Sequence, residues 1–97
     1  MSANVKTVQG DLQPVGFQQI TNLAASTGLT LPPAGARMAL IQAIGQAISW
    51  RDDGAAPTAV IGMQLAVGQT LTYTGPLAAL KMIQAAASAT ANITYYA

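Results

Sequence analysis

The stretch from Ile48 to Tyr73 constrains the fold of this chain most. Ile48-Ser49-Trp50-Arg51 runs into Asp52-Asp53-Gly54 and then Ala56-Pro57. Thr58 to Leu65 is β-branched around Val60-Ile61, and Val67-Gly68 separates it from Gln69 to Tyr73. Turn residues recur before any apolar run reaches the roughly ten residues of an ordinary helix, so the segment reads as strand, turn, strand, turn, strand. It predicts a small β-rich packing and association module. Gly62, inside the middle run, predicts a bulge or bend.

The rest of the chain follows the same rhythm, with two conflicts. Thr90, Asn92, Thr94 and Tyr96 alternate with Ala91, Ile93 and Tyr95, the clearest strand in the sequence. Val15 to Leu23 reads as a strand with Phe17, Gln19, Thr21 and Leu23 on one side. Ser26-Thr27-Gly28 reads as a turn, Leu29-Thr30-Leu31 as a short alternating run ended by Pro32-Pro33. Ala36 to Ser49 fits both helical and strand spacing. Gly45 within it, and the hairpin signal after Ile48, favour two strands joined near Gly45. Leu77 to Ala89 is rich in helix formers behind Pro76, and its polar residues Lys81, Gln84 and Ser88 share one helical face. That leaves helix and strand both open there. Residues 1–14, with Val5 and Val8, read as an N-terminal arm or edge strand, and residues 15–97 as a single domain.

A chain of 97 residues buries only about 60 to 65% of its unfolded surface, so association would add to its stability. Charged residues make up 7% and apolar ones 52%, whereas an average soluble domain is about 25% charged. Folding is therefore expected, with a surface of Gln, Thr, Asn and Ser that does little to keep copies apart. No run approaches the roughly 20 apolar residues of a membrane-spanning helix, and the first residues lack a signal-peptide core, which predicts a chain that stays where it is made. The absence of cysteine excludes disulfides. A net charge of +1 without a basic cluster gives no footprint for nucleic acid.

Catalytic chemistry finds little to work with. Histidine and cysteine are both missing, which removes the usual base and the usual nucleophile pair. The serines have no Ser-x-x-Lys spacing, and carboxylate pairs would have to combine Asp11 with Asp52 or Asp53. No phosphate-binding glycine motif occurs. The expectation is a protein that is not an enzyme and takes no cofactor. Asp52-Asp53-Gly54 reads as a turn in preference to a calcium loop. Trp50 reads as the closure of one end of the core, with Arg51 paired to Asp52 or Asp53. The alternative for Trp50-Arg51 is a sugar-stacking platform or a contact site. Tyr95 and Tyr96 face opposite ways if both lie in a strand. Met38, Met63 and Met82 read as core fillers. Candidate interface residues are Val5, Val8, Trp50, Arg51, Tyr95 and Tyr96.

One resemblance extends this reading. Leu31-Pro32-Pro33-Ala34-Gly35-Ala36 is followed by Ala39-Leu40-Ile41 and by Ile48-Ser49-Trp50-Arg51-Asp52-Asp53-Gly54 with Pro57-Thr58. Then come Gly62-Met63, Val67 to Gly75, Leu80-Lys81-Met82-Ile83 and a closing Ala91-Asn92-Ile93-Thr94-Tyr95-Tyr96. In order and spacing these resemble small structural proteins of tailed bacteriophages, of the head-decoration, cement or fibre-associated kind. The resemblance covers Leu29 to Tyr96. It implies an all-β sandwich or jelly-roll-like domain in which Leu80 to Ala85 is a strand and Ala86-Ala87-Ser88 a turn, with the helical alternative confined to residues 77–88. It also implies a virion protein made in the host cytoplasm and bound at the capsid surface. Its partners would be the major capsid protein and neighbouring copies of itself, as a homotrimer, with no nucleic acid and no membrane. The alternative is a tail- or fibre-associated module recognising carbohydrate through Trp50, Tyr73, Tyr95 or Tyr96.

Overall fold

A computed structural model describes residues 12–97. The expectations for Val5 and Val8 lie outside the described residues. Eight strands follow one another: β1 (Pro14–Ile20), β2 (Thr27–Gly28), β3 (Met38–Ile44), β4 (Ile48–Arg51), β5 (Met63–Leu65), β6 (Thr70–Tyr73), β7 (Lys81–Gln84) and β8 (Thr90–Tyr96). They form two antiparallel four-stranded sheets, ordered β1-β8-β3-β6 and β2-β7-β4-β5.

The pairing has a simple rule. β1 pairs with β8, β2 with β7, β3 with β6 and β4 with β5. The chain is one long antiparallel hairpin, and the β3–β8 and β4–β7 ladders roll it up. That connectivity defines an eight-stranded jelly roll. Every passage except β4 to β5 crosses between the sheets, so the inner faces must stack to make the core.

The sheets are unequal. In the first, β8 alternates strictly: Ala91, Ile93 and Tyr95 are buried, while Thr90, Asn92, Thr94 and Tyr96 are only partly so. Its neighbour β3 sends Ala39, Ile41 and Ala43 inward. Seven consecutive residue pairs join them, from Met38–Tyr96 to Ile44–Thr90. In the second sheet no strand exceeds four residues, yet Ile48, Leu65 and Met82 reach the same core, with Leu23, Leu77 and Leu80 packing from the connections.

Gly45 makes the β3–β4 passage, as its place in the sequence suggests. Its φ of 82° belongs to the left-handed region, and a Cβ there would meet Ser88 O at 2.9 Å. Residues 77–88 resolve into both alternatives in miniature. Leu77–Ala79 is one 3₁₀ turn, and β7 follows before a turn at 85–88. A helix along 77–89 would leave β4 without its central neighbour, so sheet pairing overrides propensity here.

Three local expectations are corrected. The strand near residue 29 falls earlier, on Thr27–Gly28, and Leu29 to Leu31 is irregular, with Leu31 at a positive φ of 44°. Thr58 to Gly62 is a turn, because the Thr58 side chain bonds the backbone locally, and only Met63–Leu65 is strand. Met38 and Met82 are buried, but Met63 is 61% exposed.

Candidate interaction surface

The Ile48 to Tyr73 stretch that dictates the fold also carries its most distinctive surface. Ile48 and Trp50 on β4 face the core, so Ser49 between them points to the outer face of its sheet. Ser49 is nonetheless fully buried. The loop from Asp52 to Gly62 folds back over it: Ser49 Oγ donates to Ile61 O at 3.3 Å, and Pro57, within the loop, is buried. Gly62 makes the close approach. Its φ is 145°, and a Cβ there would fall inside the contact shell of Ser49 Oγ and 3.0 Å from Trp50 O.

The turn at the tip of this loop is held by its own hydrogen bonds. Thr58 N donates to Ile61 O at 2.9 Å, and Ile61 N donates to Thr58 Oγ1 at 2.9 Å. The residues so fixed are apolar and face solvent. Val60 is 84% exposed and Ile61 57%, beside Met63. A β-sandwich normally turns such residues inward, which makes a fixed apolar tip a candidate contact surface.

Charge gathers at the other end of the loop. Arg51 donates from Nε to Asp53 Oδ1 at 2.9 Å and from Nη2 to Oδ2 at 2.6 Å, a bidentate pair. That hydrogen bond holds the Asp53 carboxyl below its ordinary value and pushes Arg51 up. Asp52 Oδ2 accepts from Tyr73 Oη at 2.9 Å, and the same hydroxyl lies 3.1 Å from Pro76 O. Burial, helped by Asp52, pushes the Tyr73 phenol up to about 12. The two aspartates therefore serve two different partners. Among the described residues no cluster of three or more His, Cys, Asp or Glu side chains could hold a metal. Arg51, Asp52 and Asp53 on one wall, with Ile61, Gly62 and Met63 on the other, enclose an open cleft of about 330 Å³.

The outer face of the other sheet differs in kind. None of β1, β3, β6 and β8 carries a charged residue. Phe17 pairs with Thr94, Thr94 with Leu40 and Leu40 with Thr72; one step along, Gln19, Asn92, Gln42 and Thr70 form the next row. Phe17, Leu40, Gln42, Thr70, Asn92 and Thr94 line a shallow groove of about 320 Å³. Gln19 Nε2 donates to Asn92 Oδ1 at 2.8 Å, and Gln42 Nε2 to Gly68 O at 3.3 Å.

The residues singled out in the sequence are distributed unevenly over these surfaces. Trp50 is half-buried against the core, its ring edge-on to Tyr73 at 6.1 Å. Arg51 is engaged by Asp53 at the mouth of the cleft. Tyr95 is buried and donates its hydroxyl to Gln18 Oε1, so of the terminal tyrosines only Tyr96 reaches the surface. An exposed cluster of Trp50, Tyr73, Tyr95 and Tyr96 does not form. Sequence reasoning missed Val60, Ile61, Met63 and Phe17. For Phe17 the signal was present, since Gln19 and Thr21 share its side. Comparison with protein-family models, curated proteins and solved structures returns no match.

Proposed function

We propose that this chain is a structural protein of a tailed-phage particle, a decoration or cementing protein that stabilises the head through protein–protein contacts. The observation that carries the reading is the apolar tip at Val60, Ile61 and Met63, exposed yet held in place by the Thr58 turn. Covering each of these side chains contributes about 1 to 2 kcal/mol before the costs of association. A turn ordered in advance keeps those costs low. One copy binds weakly through so small a patch, and many copies on a repeating shell add avidity.

Two further features support the reading. The family resemblance set out above points to the same class of particle. The free edges of the second sheet, β2 and β5, are two and three residues long, too short for open-ended strand addition. At that sheet, association would run through side chains, which suits a defined stoichiometry. The partners in this account are the major capsid protein and neighbouring copies of the chain, as a homotrimer at the capsid surface. The test is co-sedimentation with bare mature heads of the phage that carries this sequence, together with native mass spectrometry of the chain alone. Saturable binding at a fixed ratio to capsid protein, with a trimer in solution, is the expected result. A monomer that binds no head contradicts it.

A further inference from the structure

The groove on the outer face of the first sheet has a chemistry of its own, independent of the decoration reading. From it we infer that Phe17, Asn92 and Gln42 form a binding site for a neutral oligosaccharide. The strands of this face offer an aromatic ring, amides and hydroxyls, and carry no charged residue. The Phe17 ring is 64% exposed, and on an edge strand it presents an apolar face to anything lying across β8. A sugar ring has the matching shape, with one face of C–H groups and a rim of hydroxyls.

The amides are poised for that rim. Asn92 and Gln42 are directly paired across β8 and β3. Asn92 spends its Oδ1 on Gln19, which leaves the Nδ2 hydrogens as donors; Gln42 spends Nε2 on Gly68 O, which leaves Oε1 as an acceptor. A donor beside an acceptor is what two vicinal hydroxyls require, and both side chains are already oriented by their other hydrogen bond. Leu40 adds apolar surface on β3, beside Gln42 and across Thr94 from Phe17, and Thr70 and Thr94 add hydroxyls. At about 320 Å³ the groove sits at the small end of the roughly 300 to 1,000 Å³ of ligand sites, a size for a short run of sugar rings.

Charge complementarity decides the occupant. An anionic sugar or a nucleic acid strand would need cations, and the four strands of this sheet supply none. A protein partner would have to desolvate a row of amides and hydroxyls around Phe17, whereas strong protein contacts centre on buried aromatic pockets.

The experiment is an amide NMR titration of the full chain with cellohexaose, maltohexaose and mannohexaose, and with a hyaluronan hexasaccharide as the anionic control. At least one neutral sugar is expected to shift the Asn92 and Gln42 side-chain amides and the Phe17 backbone amide saturably, with the anionic one silent. Phe17→Ala should weaken that binding about tenfold or more, as loss of a stacking ring does. Gln42→Ala provides a second variant should the first disturb β1. The inference is overturned if no neutral sugar moves these amides, if shifts fall elsewhere, or if both variants bind as the parent does. It is also overturned if the same amides move with protein concentration alone, which would make the face a self-association surface. A chain that binds heads and no sugar loses this inference and keeps the decoration reading.

Discussion

The two sheets of the roll solve the same problem by opposite means. The β1-β8-β3-β6 sheet has three seven-residue strands, two of them, β3 and β8, in continuous register, and the outward faces of its strands carry no charge. The β2-β7-β4-β5 sheet has strands of two to four residues, and its outer face is roofed at Ser49 by the Asp52 to Gly62 loop. One sheet derives its order from ladder pairing, the other from loops folded onto it. The lesson is that regular structure and exposed apolar surface are divided between them: the long sheet carries the longest ladders, and the short one frees enough chain to shape an apolar tip.

The largest expected effect tests that division in the core. Ile93→Ala, in the centre of the long sheet and fully buried, should cost about 3 to 4 kcal/mol. Trp50→Ala, half-buried on β4 of the short sheet, should cost about 2 kcal/mol. Urea midpoints compare the two, and the reverse order would break the account. Gly62→Ala comes next, at about 2 kcal/mol, because positive φ and contact with Ser49 Oγ leave no room for a methyl group. Its further signature is weaker head binding, since the tip shifts with the loop.

A third prediction concerns alkaline pH. Burial pushes both Tyr73 and Tyr95 up to about 12 from an ordinary 10.0, so folding favours their neutral forms. The stability they contribute is complete below pH 10 and is lost as pH rises toward 12. At pH 11 each loss is on the order of 1 kcal/mol. Tyr95→Phe and Tyr73→Phe should each flatten part of the decline, measured by urea unfolding between pH 8 and 11. Tyr73→Phe should also loosen the loop, because only Tyr73 ties β6 to Asp52. The smallest effect on stability belongs to the tip: Val60→Ser with Ile61→Ser should change it by less than about 0.5 kcal/mol while abolishing co-sedimentation with heads.

The same contrast explains what the sequence disclosed. β8 was legible residue by residue because one face is buried and one is not, so Ala91, Ile93 and Tyr95 alternate with polar neighbours. The Gly45 junction was legible because only glycine suits that corner. The short sheet was harder. β7 lies in an alanine-rich segment whose periodicity favours neither structure, and it becomes a strand because β4 and β2 pair with it. Val60 and Ile61 have strand propensity but sit in a turn dictated by one threonine hydroxyl. Met63 looked like core because methionine usually is. Among site residues, an ion pair of Arg51 with Asp52 or Asp53 was legible, and the structure selects Asp53; the burial of one terminal tyrosine followed from strand alternation. The exposed tip did not, since it depends on a loop reaching back across the sheet.

Under the proposed decoration role, the apolar tip is the face that a shell would cover. Hydrogen exchange of the chain, free and bound to bare mature heads, reads this directly. Protection on binding should concentrate in peptides spanning 55–67 and leave β1 and β8 unchanged. Protection of β1 and β8, with 55–67 exchanging as in the free chain, would contradict it.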